Sequence, residues 1–180
     1  MALNYVEPQA IYDVDNDDNS TAYTANTPPE TVVGDLLDDD HPPKGAESSS
    51  SVPWPGSTFI IRSVSSGHVL TLLDGKIMLA SPGGPGSIHW ACVESKGWLG
   101  FRNTVSGKFL GHAENGTLRC SAKNHLGWEY FCVRMRPEGG YVLYMTHWER
   151  LWQVGMKEDW GVQKLAKIEK DGIVWEFVKV

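Results

Sequence analysis

The chain has 180 residues and a net charge of −6 at pH 7, and this charge is unevenly distributed along it. Residues 1–52 contain eleven acidic side chains and one base, whereas the rest contains 15 bases and 11 acids and is weakly basic, at +4. So small a positive charge argues against nucleic acid as a partner. No run of 18 apolar residues is present, so no membrane partner is expected.

Residues 1–52 are predicted to be a disordered acidic tail. They contain no Trp or Phe, and proline pairs at 28–29 and 42–43 and four serines at 48–51 interrupt them. Such a segment buries too little apolar surface to offset the entropy lost on ordering. Residues 31–40 combine four apolar with four acidic side chains. They could serve as a solvated linker, order on a partner, or lie on the basic domain and compete with anionic ligands.

The cysteines and the start of the chain predict a cytoplasmic or nuclear protein rather than a secreted one. Cys92, Cys120 and Cys132 are an odd number and form no Cys-x-x-Cys motif. The first residues lack the basic and apolar segments of a secretory signal. Reduced thiols and no zinc site are therefore expected.

Residues 53–180 are predicted to form one folded domain that contains the same motif three times. The copies span approximately residues 57–97, 98–139 and 140–180. In the first, residues 58–63, 68–73 and 76–80 have strand composition, and Asp74-Gly75 separates the last two as a hairpin turn would. In the second, residues 108–113 and 117–121 flank Asn115-Gly116 in the same way. Three units of four strands predict an all-β fold, the β-trefoil, with twelve short strands and pseudo-threefold symmetry.

Each copy closes on a tryptophan that is followed two positions later by a large or apolar residue. The tryptophans are Trp90, Trp128 and Trp175. Because side chains two apart on a strand share a face, these equivalent residues are predicted to meet in one structural core.

The second copy resembles a fascin-type repeat. Residues 101–110, FRNTVSGKFL, are followed by Asn115-Gly116-Thr-Leu and then by Trp128-Glu-Tyr-Phe, and the resemblance is clearest over residues 98–133. It implies a single fascin-like trefoil with a non-catalytic role, and cytoskeletal proteins such as actin become candidate partners. Ricin-type sugar-binding repeats close instead on Gln-x-Trp. That glutamine is absent from all three copies, which disfavours a ricin-type sugar site.

The third copy departs most from the repeat, and symmetric folds often carry function on their asymmetric parts. It supplies the candidate ligand-binding residues His147, Trp148, Glu149, Arg150, Trp152 and Trp160. On a continuous strand, Arg150 would lie between Trp148 and Trp152 on one face and could stack on them. Two alternatives stay open: these tryptophans could plug the barrel, or His147 and Glu149 could act as an acid/base pair. The other histidines of the predicted domain, at 68, 89, 112 and 125, are expected at the surface.

The predicted function is a non-catalytic intracellular binding module. No nucleophile-elbow, phosphate-loop, zinc-protease or dinucleotide motif occurs, so no catalytic residue, metal ligand or cofactor is assigned. The module would dock a protein partner through its loops and the aromatic third-repeat face. A carbohydrate-binding, lectin-like trefoil is the first alternative, and a small enzyme with a pocket at the barrel mouth is the second.

Overall fold

The computed structural model describes residues 50–180, so the predictions for residues 1–49 lie outside the described range. Over this range the chain forms twelve strands and one 3₁₀ turn, and no helix there is long and apolar enough to span a membrane. The strands are β1 (Thr58–Ser63), β2 (Val69–Leu73), β3 (Lys76–Ala80), β4 (His89–Ser95), β5 (Trp98–Asn103), β6 (Phe109–His112), β7 (Leu118–Ala122), β8 (Phe131–Met135), β9 (Tyr141–His147), β10 (Arg150–Asp159), β11 (Val162–Ile168) and β12 (Val174–Lys179).

Six strands close into a barrel. The antiparallel ring runs from β1 through β4, β5, β8, β9 and β12 and back to β1. The other six strands form three hairpins, β2–β3, β6–β7 and β10–β11, whose second strands contact one another. Each predicted repeat contains four strands, and the predicted β-trefoil is confirmed. Ring closure leaves the barrel strands without free edges.

The turns of two hairpins differ in length. Asp74 and Gly75 both have positive φ, 48° and 75°, and join β2 to β3 as a two-residue turn. The hairpin predicted around Asn115-Gly116 also forms, between β6 and β7, but residues 113–117 make a longer loop. The Asn115 side chain accepts the Thr117 N–H and hydroxyl, at 3.1 and 2.8 Å. Lys167 of β11 donates its N–H to the carbonyl of Gly116 at 2.9 Å.

The core consists of side chains from all three repeats. Phe177 stacks on Phe101 at 5.8 Å and meets the edge of Phe59 at 6.1 Å between ring centroids, and Phe101 contacts Phe131 at 5.6 Å. All four rings are almost completely buried. Burial of this kind stabilises by roughly 1.5–3 kcal/mol per large side chain.

Two of the three repeat tryptophans lie in this core and the third does not. Trp90 and Trp175 are fully buried, and Trp90 donates its Nε1–H to the carbonyl of Leu70 at 3.0 Å. The prediction that Trp128 joins them is wrong, because Trp128 is 41% exposed. It lies in the 3₁₀ turn Gly127–Glu129 rather than on a strand.

A one-residue change of phase explains this difference. Cys92 and Phe177, the core residues that follow the other tryptophans, come two positions after them, whereas Phe131 comes three positions after Trp128. The residue two positions before Phe131 is therefore Glu129, the last residue of the 3₁₀ turn. Glu129 is accordingly only 4% exposed, and the indole before it lies outside the barrel.

Candidate functional site

The displaced Trp128 and the residues around it form the wall of a surface groove. The aromatic groove, as we call it, has a volume of about 410 Å³. Residues from the second and third repeats line it: Trp98, Gly127, Trp128, Tyr130, Thr146, His147 and Trp148. Trp98 stacks on Tyr130 with ring centroids 6.0 Å apart and planes 5° from parallel. The groove therefore has aromatic faces on several sides.

A close contact with β6 holds the 3₁₀ turn in place. Gly111 lies beneath the turn, and a Cβ on this residue would come within 2.8 Å of both the Glu129 Oε1 and the Trp128 carbonyl oxygen. Glu129 Oε2 accepts the backbone N–H of Leu126 at 3.4 Å. The absence of a side chain at residue 111 thus makes room for the buried carboxylate that replaces a core tryptophan.

Strand β9 forms the other side of the aromatic groove. Thr146 donates its hydroxyl to the carbonyl of Gly127 at 2.6 Å, and its N–H to the carbonyl of Tyr130 at 3.1 Å. These bonds connect the third repeat to the second at the base of the groove. The groove walls carrying Trp128 and His147 are therefore held together by the backbone and not only by side-chain packing.

Trp148 stands at the tip of the β9–β10 hairpin. It is the first of two residues between the paired His147 and Arg150, and it is 89% exposed. Its φ of +55° is a conformation in which glycine is usual and a bulky residue is an outlier. The prediction of one continuous strand over residues 147–152 is therefore wrong, because the chain reverses at Trp148 and Glu149. Trp148 does not plug the barrel.

A polar cluster lies under the aromatic groove, where the symmetric fold would have apolar core. His112 is fully buried, contrary to expectation, and its ring stacks under Trp128 at 5.2 Å and meets the edge of His147 at 5.2 Å. Lys167 Nζ donates to His147 Nδ1 at 2.6 Å, which requires a neutral His147 with its proton on Nε2. That Nε2–H is then available to a ligand.

Burial sets the protonation of this cluster. Desolvation lowers the pKa of His112 below its usual range, although carbonyl acceptors at Ala113 and Thr146 oppose the shift. Desolvation and the Lys167 charge lower the pKa of His147, and burial lowers that of Lys167 itself. Burial raises the pKa of Glu129. Both histidines are therefore neutral over a wider pH range than a histidine in water.

A second groove lies on the other side of Trp128. This cationic groove, of about 420 Å³, is lined by Arg119, Ala122, Lys123, Asn124, Leu126, Gly127, Trp128 and Glu129. The Arg119 guanidinium lies 5.3 Å from the Trp128 ring centroid, a cation–π contact. Gly127 and Trp128 line both grooves, so the two are contiguous.

A third groove brings together five of the six residues predicted from the sequence. The β10 groove, of about 430 Å³, is lined by His147, Trp148, Glu149, Arg150 and Trp152. It adjoins the aromatic groove because His147 and Trp148 line both. Trp160 lies elsewhere, at the tip of the β10–β11 hairpin, and is 98% exposed.

The predicted stacking of Arg150 between two tryptophans is not observed. The cation over Trp152 is Lys167, with Nζ 5.6 Å from the ring centroid. Trp152 is half-buried and packs against the core while it lines the β10 groove, whereas Trp148 is exposed. The hydrogen-bond partner of His147 is Lys167 rather than Glu149.

Sequence reasoning missed the second-repeat side of the site, which comprises Trp98, Arg119, Trp128 and Tyr130. Trp128 was assigned to the core on the strength of the repeat. The signal that could have moved it to the surface is the spacing of three residues, instead of two, between Trp128 and Phe131. No comparable signal marks Trp98, whose position depends on the pairing of β5 with β8, two strands that are distant in sequence.

Comparison with known proteins shows the fold but no family. A scan against protein-family profiles and a search of curated proteins each find no match. The designed threefold-symmetric protein ThreeFoil is similar in structure, with a TM-score of 0.57 and 16% identity over 68% of this chain and 99% of its own. The ricin B-like lectin of Macrolepiota procera, solved in complex with lactose, has a TM-score of 0.55 and 13% identity over 72% of this chain and 98% of the lectin.

An enzyme provides a third structural match. It is the exo-β-1,3-galactanase of Clostridium thermocellum, with a TM-score of 0.57 and 19% identity over 69% of this chain. The chain spans only 30% of that enzyme's length. At these identities the similarities show the β-trefoil fold alone.

Proposed function

We propose that this protein is a non-catalytic carbohydrate-binding module whose binding site is the aromatic groove. The observation that carries the proposal is the pair of exposed indoles, Trp128 and Trp148, that border the groove on a rigid trefoil frame. An exposed indole offers a flat apolar face on which the apolar face of a sugar ring can stack. A lectin solved in complex with lactose and an exo-β-1,3-galactanase are among the trefoil neighbours, which is consistent with this use of the fold.

The polar groups of the groove suit a hydroxyl-rich ligand. His147 presents an Nε2–H donor because Lys167 occupies its Nδ1. The phenol of Tyr130 can donate and accept. A few convergent polar groups among aromatic walls are the usual composition of a small-molecule site.

Binding without hydrolysis is favoured by the chemistry of the lining residues. Glycosidases ordinarily use two carboxyl groups that flank the scissile bond, and the residues that line the aromatic groove include none.

A glycan array followed by titration calorimetry tests the proposal. The array is probed with the full chain, and each hit is titrated into the wild type, Trp148→Gly and Trp160→Gly. We expect Trp148→Gly to weaken binding at least tenfold, as loss of a central aromatic contact does. Trp160→Gly is the matched control, because it changes a second exposed hairpin-tip tryptophan outside the grooves. Absence of any hit, or equal affinity in both variants, would refute a glycan site here.

A specific surface supports a second candidate function, the docking of a protein partner in the manner suggested by the fascin-like sequence. The hairpin groove, of about 730 Å³, opens between the three hairpins, and Ile77, Met78, Met156 and Val162 contribute apolar surface to it. Methionine-rich apolar grooves suit protein ligands. Co-sedimentation with F-actin tests whether the partner is actin. A pellet fraction no higher than that of a control without actin would contradict actin binding.

A further inference from the structure

The three grooves around Trp128 and Trp148 form one continuous surface with an uneven charge. The cationic groove, the aromatic groove and the β10 groove follow one another, and a tryptophan lies at each junction. At the β10 end the charges of Glu149 and Arg150 balance. At the other end two cationic side chains, Arg119 and Lys123, line the groove.

Arg119 is held in place by its contact with Trp128 and enters no ion pair within residues 50–180. Its guanidinium lies over the Trp128 ring, and its Nε is buried without a hydrogen-bond partner. Within residues 50–180 the ion pairs are Arg62–Glu176, Arg136–Glu138 and Lys164–Asp159, so Arg119 and Lys123 enter none. A guanidinium fixed by stacking loses little further entropy when it binds an anion, and its planar fork matches a carboxylate.

The one carboxyl group that lines the cationic groove is buried at its base, where the Arg119 charge opposes the rise in its pKa that burial causes. Glu129 lies at the base with 4% exposure, and its Oε2 accepts the Leu126 N–H. The charged groups that remain open to a ligand are therefore Arg119 and Lys123, with the Asn124 amide beside them.

We infer that the natural ligand is an acidic oligosaccharide, in which a neutral sugar occupies the aromatic groove and the anionic group of an adjoining sugar binds Arg119 and Lys123. This inference rests on the proposed glycan-binding function and specifies its ligand class. The shared rim at Gly127 and Trp128 lets one chain occupy both grooves, and the indole contributes to both sites. A carboxylate or a sulfate ester supplies the anion.

Matched pairs of glycans test this inference. The full chain is titrated with glucuronate-containing and sulfated oligosaccharides and with the same compounds after carboxyl reduction or desulfation. We expect the acidic member of a pair to bind roughly tenfold more tightly than its neutral counterpart. The preference should decrease when the salt concentration rises, since these charges lie at the surface. The carboxylate and sulfate pairs show which anion is preferred.

Variants separate this inference from the function on which it rests. Arg119→Gln and Lys123→Gln should each reduce the ratio of acidic to neutral affinity. Arg119→Lys should keep part of the preference that Arg119→Gln loses. Lys76 is an exposed lysine outside the three grooves, so Lys76→Gln should leave the preference unchanged. Equal binding of acidic and neutral members, or a preference insensitive to both glutamine variants, overturns the acidic ligand but keeps the glycan site. Failure of every compound to bind overturns both.

Discussion

The closing segments of the first and second repeats occupy equivalent positions, but the tryptophan is buried in the first and exposed in the second. In the first, Trp90 is fully buried and bonded to the carbonyl of Leu70. In the second, Glu129 takes the inward position and Trp128 lies outside, against a buried histidine. The barrel tolerates this exchange because its other strands still supply a large apolar core. A change of phase by one residue thus converts a core element into the wall of a surface groove.

The largest expected effect comes from truncating the two tryptophans. Trp90→Ala should lower the free energy of unfolding by about 3–5 kcal/mol, because it leaves a cavity in a close-packed core. Trp128→Ala should cost about 1 kcal/mol or less, because much of the indole already contacts water, but it should abolish glycan binding. Urea unfolding monitored by fluorescence measures the first quantity. Similar losses in both variants would show that Trp128 is part of the core after all.

The glycines near the 3₁₀ turn give the next largest difference. Gly111→Ala places a methyl group against Glu129 and the Trp128 carbonyl, so we expect a loss of about 1–3 kcal/mol and weaker glycan binding. Gly127→Ala is the control, since a Cβ there has no neighbour within 4 Å, and it should change stability by less than about 0.5 kcal/mol. Equal stabilities for the two variants would contradict the role of Gly111 in seating the buried carboxylate.

The two hairpin-tip tryptophans should separate stability from function. Trp148 and Trp160 have φ of 55° and 53°, a conformation that costs a non-glycine residue roughly 1–2 kcal/mol. Replacing either by glycine relieves this strain, and after the entropy cost of glycine the net gain should be up to about 1 kcal/mol. Thermal unfolding should show both gains, while only Trp148→Gly loses glycan binding. A Trp148→Gly protein that is less stable than wild type would argue against strain at the tip.

The smallest expected effect is a dependence of stability on pH. Burial lowers the pKa of His112, His125 and His147 from 6.5. The unfolded chain then binds more protons than the folded one, so stability is complete above pH 6.5 and decreases as the pH falls through the lower folded values. Urea unfolding at pH 7.5 and 5.5 should show this decrease, and His147→Gln should reduce it. A free energy of unfolding that stays constant or rises towards pH 5.5 would contradict neutral histidines under the groove.

The carboxyl group of Glu129 acts in the opposite direction. Burial raises its pKa above 4.5, so its ionisation opposes folding as the pH rises through the raised value. Glu129→Gln removes this ionisable group. The variant is therefore a suitable background in which to measure the contribution of the histidines to the pH dependence of stability.

The fold could be predicted from the sequence because local signals repeat. Asp74-Gly75 predicts the turn between β2 and β3, and the strand compositions predict residues 58–63 and 76–80 as the structure has them. Three copies of the same signal leave few topologies other than the trefoil. Where a local signal competes with a distant contact, the hairpin was predicted but the conformation of its loop was not. The loop at Asn115-Gly116, which bonds to β11, is one case.

The candidate site could be predicted only in part. The third-repeat residues were found because they depart from the repeat, and five of the six meet in the β10 groove. Trp128 was missed because it is the residue type that the repeat predicts, although its spacing to the next core residue is longer by one. Trp98 was missed because its place in the site comes from segments that are distant in sequence.

The sequence by itself determined the all-β trefoil and the asymmetry of the third repeat, because turn chemistry and alternation act between neighbouring residues. Only the tertiary structure decided that Trp128 lies outside and that His112 is buried beneath it. The same holds for Arg119, which is placed beside a groove that the third repeat completes. These outcomes depend on which side chains fill the barrel at the junction of two repeats, and contacts between residues distant in sequence decide which ones do.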